Sequence, residues 1–192
     1  MSDLREQVIE IVRARGLRRL PEPVRLASGH MSRDFIDAKV ALAAGDDLAL
    51  ACKAMLEQLD GVEFDAVGGL TMGADQFAHG IAILGGRRWF VVRKEPKGRG
   101  TNQLVEGATI EPGTRVLLVD DVVTTGGSIQ KAYATIRDLG ADVVGAITLV
   151  DRGDVAGAFF ADRGVPYVSL VTYHDLGIDP IVPVDTASPA DA

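Results

Sequence analysis

Val116-Leu117-Leu118-Val119-Asp120-Asp121-Val122-Val123-Thr124-Thr125-Gly126-Gly127-Ser128 is the stretch of this sequence whose residue types and spacing are best suited to chemistry. An apolar run ends in two carboxylates, passes through a turn of hydroxyls and glycines, and enters Ile129-Gln130-Lys131-Ala132-Tyr133 with helical spacing. Backbone N–H groups in such a turn, the positive end of a helix dipole and the hydroxyls of Thr124, Thr125 and Ser128 together suit a phosphate monoester. The carboxylates of Asp120 and Asp121 would repel a phosphate. They are better placed to accept hydrogen bonds from sugar hydroxyls or to stand near a hydrated magnesium ion. A plainer reading stays open at this point, because acidic residues between a strand and a helix often serve only to cap the helix.

A second group is cationic. Arg87, Arg88, Arg93, Lys94, Lys97 and Arg99 fall within thirteen residues, where an even spread of basic residues would give roughly one. The chain as a whole is acidic, with 27 Asp and Glu against 20 Lys and Arg and a net charge of -7, which disfavours a broad grip on nucleic acid or an anionic membrane. Concentrated cations in an acidic chain instead suit a small anionic ligand. Several of them open residues 94–112, the longest segment without periodicity, and a loop of that length in a compact domain is more often a functional lid than a passive connection. Gly68-Gly69-Leu70-Thr71-Met72-Gly73 is a third candidate, a glycine-rich turn between a strand and a helix that serves close packing as readily as ligand contact. His30, His79 and His174 are scattered, and nothing in the pattern pairs them with a nucleophile or a metal cluster. The single Cys52 cannot form an intrachain disulfide, and no Cys/His spacing builds a zinc site, which fits a reduced, cytoplasmic setting.

The elements that must hold these residues follow from periodicity. With 192 residues, 47% of them hydrophobic, one core is expected. Leu4, Val8, Ile9, Ile11 and Val12 recur as on an amphipathic helix that Gly16 closes, and Val24-Arg25-Leu26 and Asp34-Phe35-Ile36-Asp37 flank Ser28-Gly29-His30 as in an antiparallel hairpin. A helix over 46–59 follows. Then come strands at 66–68, 89–93, 115–119, 143–150 and 167–172, with helices over 74–84, 127–139 and 155–162. Buried strands alternating with amphipathic helices predict an α/β fold, a mainly parallel twisted sheet with helices on both faces. Ligands of such sheets sit at the carboxyl ends of the strands. Trp89 and Phe90 are expected to pack in the core. The charged start Met1-Ser2-Asp3-Leu4-Arg5-Glu6-Gln7 lacks the pattern of a secretory signal, and runs such as Val143 to Val150 fall far short of the ~20 apolar residues a membrane span needs.

On these residues a family resemblance emerges. Val-Asp-Asp at a strand end is also similar to a phospho-acceptor receiver domain, but there the acidic pair lies near the start, whereas Asp120 and Asp121 lie past the middle. Asp120 to Ser128 resembles the phosphoribosyl-pyrophosphate (PRPP) binding motif of type I phosphoribosyltransferases. Val92-Arg93-Lys94-Glu95-Pro96-Lys97-Gly98-Arg99-Gly100, followed by Leu104-Val105-Glu106-Gly107, resembles the catalytic loop of the orotate phosphoribosyltransferases. Leu26-Ala27-Ser28-Gly29, Asp34 to Asp37, Val150-Asp151-Arg152 and Thr172-Tyr173-His174-Asp175 carry the similarity along nearly the whole chain in order.

The resemblance implies a type I phosphoribosyltransferase fold in residues 1–183, with a small N-terminal helix and hairpin hood over about 1–45, a core over about 46–183, and a disordered tail over 184–192. It implies displacement of pyrophosphate from C1 of Mg2+-bound PRPP by N1 of orotate, giving orotidine 5′-monophosphate. Lys97, Arg99 and Asp121 would be catalytic. PRPP would be held by Arg93, Lys94, Lys97, Asp120, Asp121, Val122, Val123, Thr124, Thr125, Gly126, Gly127 and Ser128. Pyrophosphate would meet the loop Leu70, Thr71, Met72 and Gly73, and orotate would meet Thr124, Arg152 and Phe35. Magnesium would be held by PRPP, with Asp120 and Asp121 nearby and no direct protein ligand. The implied protein is a homodimer whose loop 94–107 reaches the neighbouring site. Two departures stand out: Ala27 where many members have a lysine, and Arg99 where the loop usually has a histidine. Arginine can neutralise pyrophosphate but is a poor proton donor, with a pKa above about 12. Another pyrimidine or purine base as acceptor, or a PRPP-binding regulator with little catalysis, are the alternatives. The loop reading predicts that Lys97→Ala cuts turnover strongly while the melting temperature stays nearly unchanged; equal loss of both would make the loop structural.

Overall fold

The computed structural model describes residues 3–26, 29–96 and 103–182. The first helix, α1 (Asp3–Ile11), passes into a π-helical turn (Val12–Gly16) rather than running on as α-helix. That turn delivers Gly16 to the next element. Its carbonyl accepts the Asp37 N–H at 2.9 Å, and a Cβ there would lie 2.9 Å from the Ala41 Cβ. Strands β1 (Leu17–Arg25) and β2 (Met31–Ile36) pair antiparallel as expected, but β1 starts well before residue 24. Pro21 and Pro23 do not end it because the register breaks between Arg19 and Val24, so both prolines fall where the ladder is already interrupted. The short α2 (Ala38–Ala41) is capped by Asp37, whose Oδ1 accepts the N–H groups of Lys39 and Val40 at 3.1 and 3.0 Å.

Beyond this hood the expected alternation holds. In order come α3 (Gly45–Gln58), β3 (Ala66–Leu70), α4 (Asp75–Gly85), β4 (Arg88–Val92), β5 (Val105–Gly107), β6 (Arg115–Val123), α5 (Gly127–Asp138), β7 (Asp142–Asp151), α6 (Val155–Ala161), β8 (Tyr167–Thr172) and α7 (Tyr173–Leu176). The main sheet has the order β5-β4-β3-β6-β7-β8, parallel throughout except for β5. Strand β5 lies inside the segment read as aperiodic, since three residues are too few for alternation to register.

Period-two alternation sends Leu117 and Val119 of β6 to the face covered by α1, α3 and α4, and Val116 and Leu118 to the face covered by α5 and α6. The same alternation corrects the expectation for Trp89. Phe90 and Val92 are fully buried, whereas Trp89 is 42% exposed and edges the His79 ring at 4.5 Å. At the start of the central strands Arg115 grips Asp65 with two guanidinium N–H groups, Nη2 to Oδ1 at 2.7 Å and Nε to Oδ2 at 3.2 Å. These bonds hold the Asp65 carboxyl down at about 2 and tie the start of β6 to the residue before β3. Both strands therefore end at the same edge of the molecule, where the candidate residues gather.

Candidate active site

Strand β6 does not stop at Val119, as the sequence suggests, but carries Asp120, Asp121, Val122 and Val123. The ladder to β7 continues past the carboxylates, pairing Asp120 with Thr148 and Val123 with Asp151. An acidic pair, Asp120 buried and Asp121 half-buried, thus sits near the end of the strand. Asp120 is only 4% exposed, and its Oδ1 accepts the Asp121 N–H at 3.0 Å. Burial pushes its carboxyl up to about 7, aided by the charge of Asp121 and opposed by that N–H and by Lys39 and Lys94. The Asp121 carboxylate is fixed at both oxygens: Oδ1 accepts the Val122 N–H at 2.7 Å and Oδ2 accepts Lys39 Nζ at 3.0 Å.

The loop after β3 presses on this pair. A Cβ at Gly73 would lie 2.5 Å from Asp121 Oδ1 and 2.9 Å from Asp120 Oδ1. Gly69, earlier in the same segment, is packed as closely, its missing Cβ 2.1 Å from the Val119 carbonyl oxygen. Thr71 donates its N–H to the Val92 carbonyl at 2.8 Å and its hydroxyl to Asp75 Oδ2 at 2.7 Å, and the Thr71–Met72 peptide bond is cis. Leu70 is the last residue of β3, its side chain buried in the core, so of the expected pyrophosphate loop only Thr71, Met72 and Gly73 form the loop itself.

After β6 the chain turns through Thr124, Thr125 and Gly126. Gly126 adopts a left-handed φ of 75° where α5 begins, and its carbonyl accepts the Gln130 N–H at 2.9 Å. This brings the first amides of α5 to the end of β6, the arrangement that receives phosphate. Val123 is buried against the core, so it and Leu70 can offer a ligand only backbone groups.

Two further candidates meet at the junction of hood and core. Arg152 follows β7 and is 1% exposed, with Nη1 donating to the Asp34 carbonyl at 2.7 Å and Nη2 to Ser32 Oγ at 3.4 Å. Burial lowers its pKa, and its Nε has no hydrogen-bond partner among the described residues. The backbone that carries it is braced by Asp151, which accepts the Tyr167 hydroxyl at 2.6 Å and the Gly153 N–H at 3.0 Å. Phe35, on β2 beside Asp34, is 39% exposed. Arg93 reaches both arms of the long loop, donating Nη1 to Glu106 Oε1 at 3.0 Å and Nε to the Glu95 carbonyl at 3.2 Å. Lys131 of α5 bonds the Lys94 carbonyl. Lys97 and Arg99, and likewise Ala27, lie outside the described residues, as do residues 184–192. The residue that the sequence did not reveal is Lys39, which reaches Asp121 from 82 positions earlier; no local spacing signals such a contact.

A Phosphoribosyl transferase domain model matches residues 41–158. The orotate phosphoribosyltransferase of Aquifex aeolicus is 38% identical over 178 residues, covering 90% of this chain and 97% of that one. That of Streptomyces coelicolor is 38% identical over 185 residues, covering 93% and 100%. The chain belongs to the orotate phosphoribosyltransferase family. Among solved structures, the Mycobacterium tuberculosis orotate phosphoribosyltransferase in complex with PRPP is similar at a TM-score of 0.75 and 35% identity, covering 91% of this chain and 99% of that one. An adenine phosphoribosyltransferase from Thermoanaerobacter pseudethanolicus, 20% identical with a TM-score of 0.66, shares the fold. Within the chain, the matched span takes in β3, β6, the turn and Arg152, while Phe35 and Lys39 of the hood precede it.

The packing at the acidic pair yields two expectations. Gly73→Ala drives a methyl group into both carboxylates and should cut kcat/KM by about 100-fold, read by steady-state kinetics, while the melting temperature also falls, by a few degrees, as the clash strains the loop. Asp120, raised to about 7 in the fold, titrates near about 4 when unfolded. The folded state therefore holds the proton more tightly, and stability should fall as pH rises through about 4 to about 7. Asp120→Asn should lack that decline in melting temperatures measured across the same range; identical slopes in both proteins would dismiss the buried-acid account.

Proposed function

We propose that this chain catalyses transfer of the 5-phosphoribosyl group from PRPP to N1 of orotate, giving orotidine 5′-monophosphate and pyrophosphate. The observation that carries the reading is the convergence, at the carboxyl ends of β3 and β6, of the Asp120–Asp121 pair, the Thr71–Gly73 loop and the Thr124–Ser128 turn. Relatives of 38% identity over nearly their whole length are orotate phosphoribosyltransferases.

In this reading the C1–O bond to pyrophosphate breaks as the C1–N1 bond forms, and the N1 proton passes to an oxygen of the departing pyrophosphate. The turn and the N-terminus of α5 receive the 5′-phosphate. Asp120 and Asp121 accept the ribose hydroxyls, whose donated hydrogen bonds favour the charged form of Asp120 despite its burial. Charge builds on the departing pyrophosphate, beside the backbone of Thr71 to Gly73 and the cations Arg93 and Lys94, with Lys97 and Arg99 completing the set. Arg152 offers its unpartnered Nε to the orotate carboxylate, Phe35 covers the base, and Thr124 lies next to both substrates. A magnesium ion fits the pair best when carried by the PRPP oxygens, because Asp121 already accepts two hydrogen bonds and Asp120 one. Bound there, the ion would neutralise part of the leaving group's charge.

The family resemblance supports the rest of the assignment: residues 1–183 as one catalytic domain, a homodimer in which loop 94–107 reaches the partner's site, and a cytoplasmic location. Burial pushes the Cys52 thiol up to about 12, so it is inert. Among the described residues no helix is long and apolar enough to cross a membrane. The departures at Ala27 and Arg99 favour one second reading, an acceptor base other than orotate. The deciding assay mixes protein, PRPP, magnesium and orotate and follows orotate ultraviolet absorbance. Loss of absorbance that Asp121→Asn abolishes is the expected result. A flat trace from protein whose melting temperature PRPP still raises would shift the assignment to another base or to a regulator.

A further inference from the structure

Lys39 is an exposed lysine on a four-residue helix of the hood, yet its ammonium group lies 3.0 Å from Oδ2 of Asp121 across 82 residues of sequence. Ion pairs with one half-exposed partner contribute little to stability, because solvent screens the charges and the long side chain loses freedom. Stability is therefore a poor reason for the contact. The placement of α2 is nonetheless tightly set. Asp37 caps it, Ala38 and Ala41 are buried, and Ala41 packs on the bare Cα of Gly16.

We propose that Lys39 is a positioning residue for PRPP, a hood-borne cation that fixes the Asp121 carboxylate in the plane in which it meets the ribose. The inference rests on the function proposed above and adds a residue to its site. Because the carboxylate is planar, its two oxygens are oriented together: the Val122 N–H and the Gly73 loop hold it at Oδ1, and Lys39 is the hood's hold on it at Oδ2. Among the described residues, the charged groups that act on Asp120 are Asp121, Lys39 and Lys94. Lys39 thus also offsets the negative charge that a polyanionic diphosphate meets on approach. Both effects act on PRPP and neither on the base, so the hood bears on the affinity of a substrate whose binding motif lies wholly in the core.

The test compares the full chain with Lys39→Met, which keeps the aliphatic stem without the charge, and Lys39→Arg, which restores the charge. PRPP binding is measured by calorimetry with magnesium present, and kinetics are measured with each substrate varied in turn. In Lys39→Met the Kd and KM for PRPP should rise about tenfold, with kcat and the orotate KM within about threefold. Its melting temperature should shift by no more than about 2 °C, as for an exposed ion pair, and Lys39→Arg should recover most of the PRPP affinity. Unchanged PRPP affinity in Lys39→Met, failure of Lys39→Arg to recover it, or a matching loss of melting temperature would overturn the proposal. Calorimetry needs no acceptor, so a wild-type protein that binds PRPP but leaves orotate untouched would sink the orotate assignment while Lys39 is still decided.

Discussion

Two adjacent carboxylates at the buried end of a central strand set the terms for everything around them. Asp120, 4% exposed, cannot be freely charged beside Asp121 in so little solvent, and its carboxyl rises to about 7 in consequence. Such a pair persists only where the surroundings give each oxygen a partner or a reason. Here the partners are the backbone N–H groups of Asp121 and Val122 and the ammonium of Lys39. The oxygens that take the two N–H bonds, Asp120 Oδ1 and Asp121 Oδ1, face the loop that ends in Gly73, where a side chain would collide with both groups. The glycine is therefore a steric requirement of the acidic pair.

The sheet order makes this arrangement possible. Placing β3 directly beside β6 puts the loop after one strand against the carboxylates at the end of the other. The close packing of Gly68 on Phe90 and of Gly69 on Val119 lets the neighbouring strands approach without intervening side chains. The Asp65–Arg115 grip aligns the same two strands at their starts, so their ends are held in step.

Much of this is legible in the sequence because the signals are local. The buried run 116–119, the glycine turn and the helical spacing from Ile129 locate the central unit, and the alternation of strands and helices gives the sheet its parallel character. The errors have physical causes as well. Asp120 reads as the end of a strand because a charge is costly inside one, but pairing with β7 and the adjacent N–H offset that cost. The first hairpin strand reads as starting at Val24, but it reaches back to Leu17 across a break in register. Trp89 reads as core by its size, yet one step along a strand turned it outward from Phe90. Lys39 and the burial of Arg152 under Asp34 depend on contacts far apart in the chain, which no window of sequence contains.

The hood is rooted and tethered by different chemistry, and the difference bears on how a ligand enters. At its root Ile36, Ala38 and Ala41 join the same apolar cluster as α1 and α3, a seal that water weakens only at a large cost in free energy. Over the site its ties are polar: Arg152 to the Asp34 carbonyl and Ser32 hydroxyl, and Lys39 to Asp121. A hydrogen bond exchanged for another of similar strength changes the free energy little, whereas parting an apolar contact has no such substitute. Anionic and hydroxyl groups of a substrate are suitable replacements for the Asp34 carbonyl and Ser32 hydroxyl that Arg152 now holds. The Arg152 ties are thus of a kind that a ligand can take over while the apolar root stays packed.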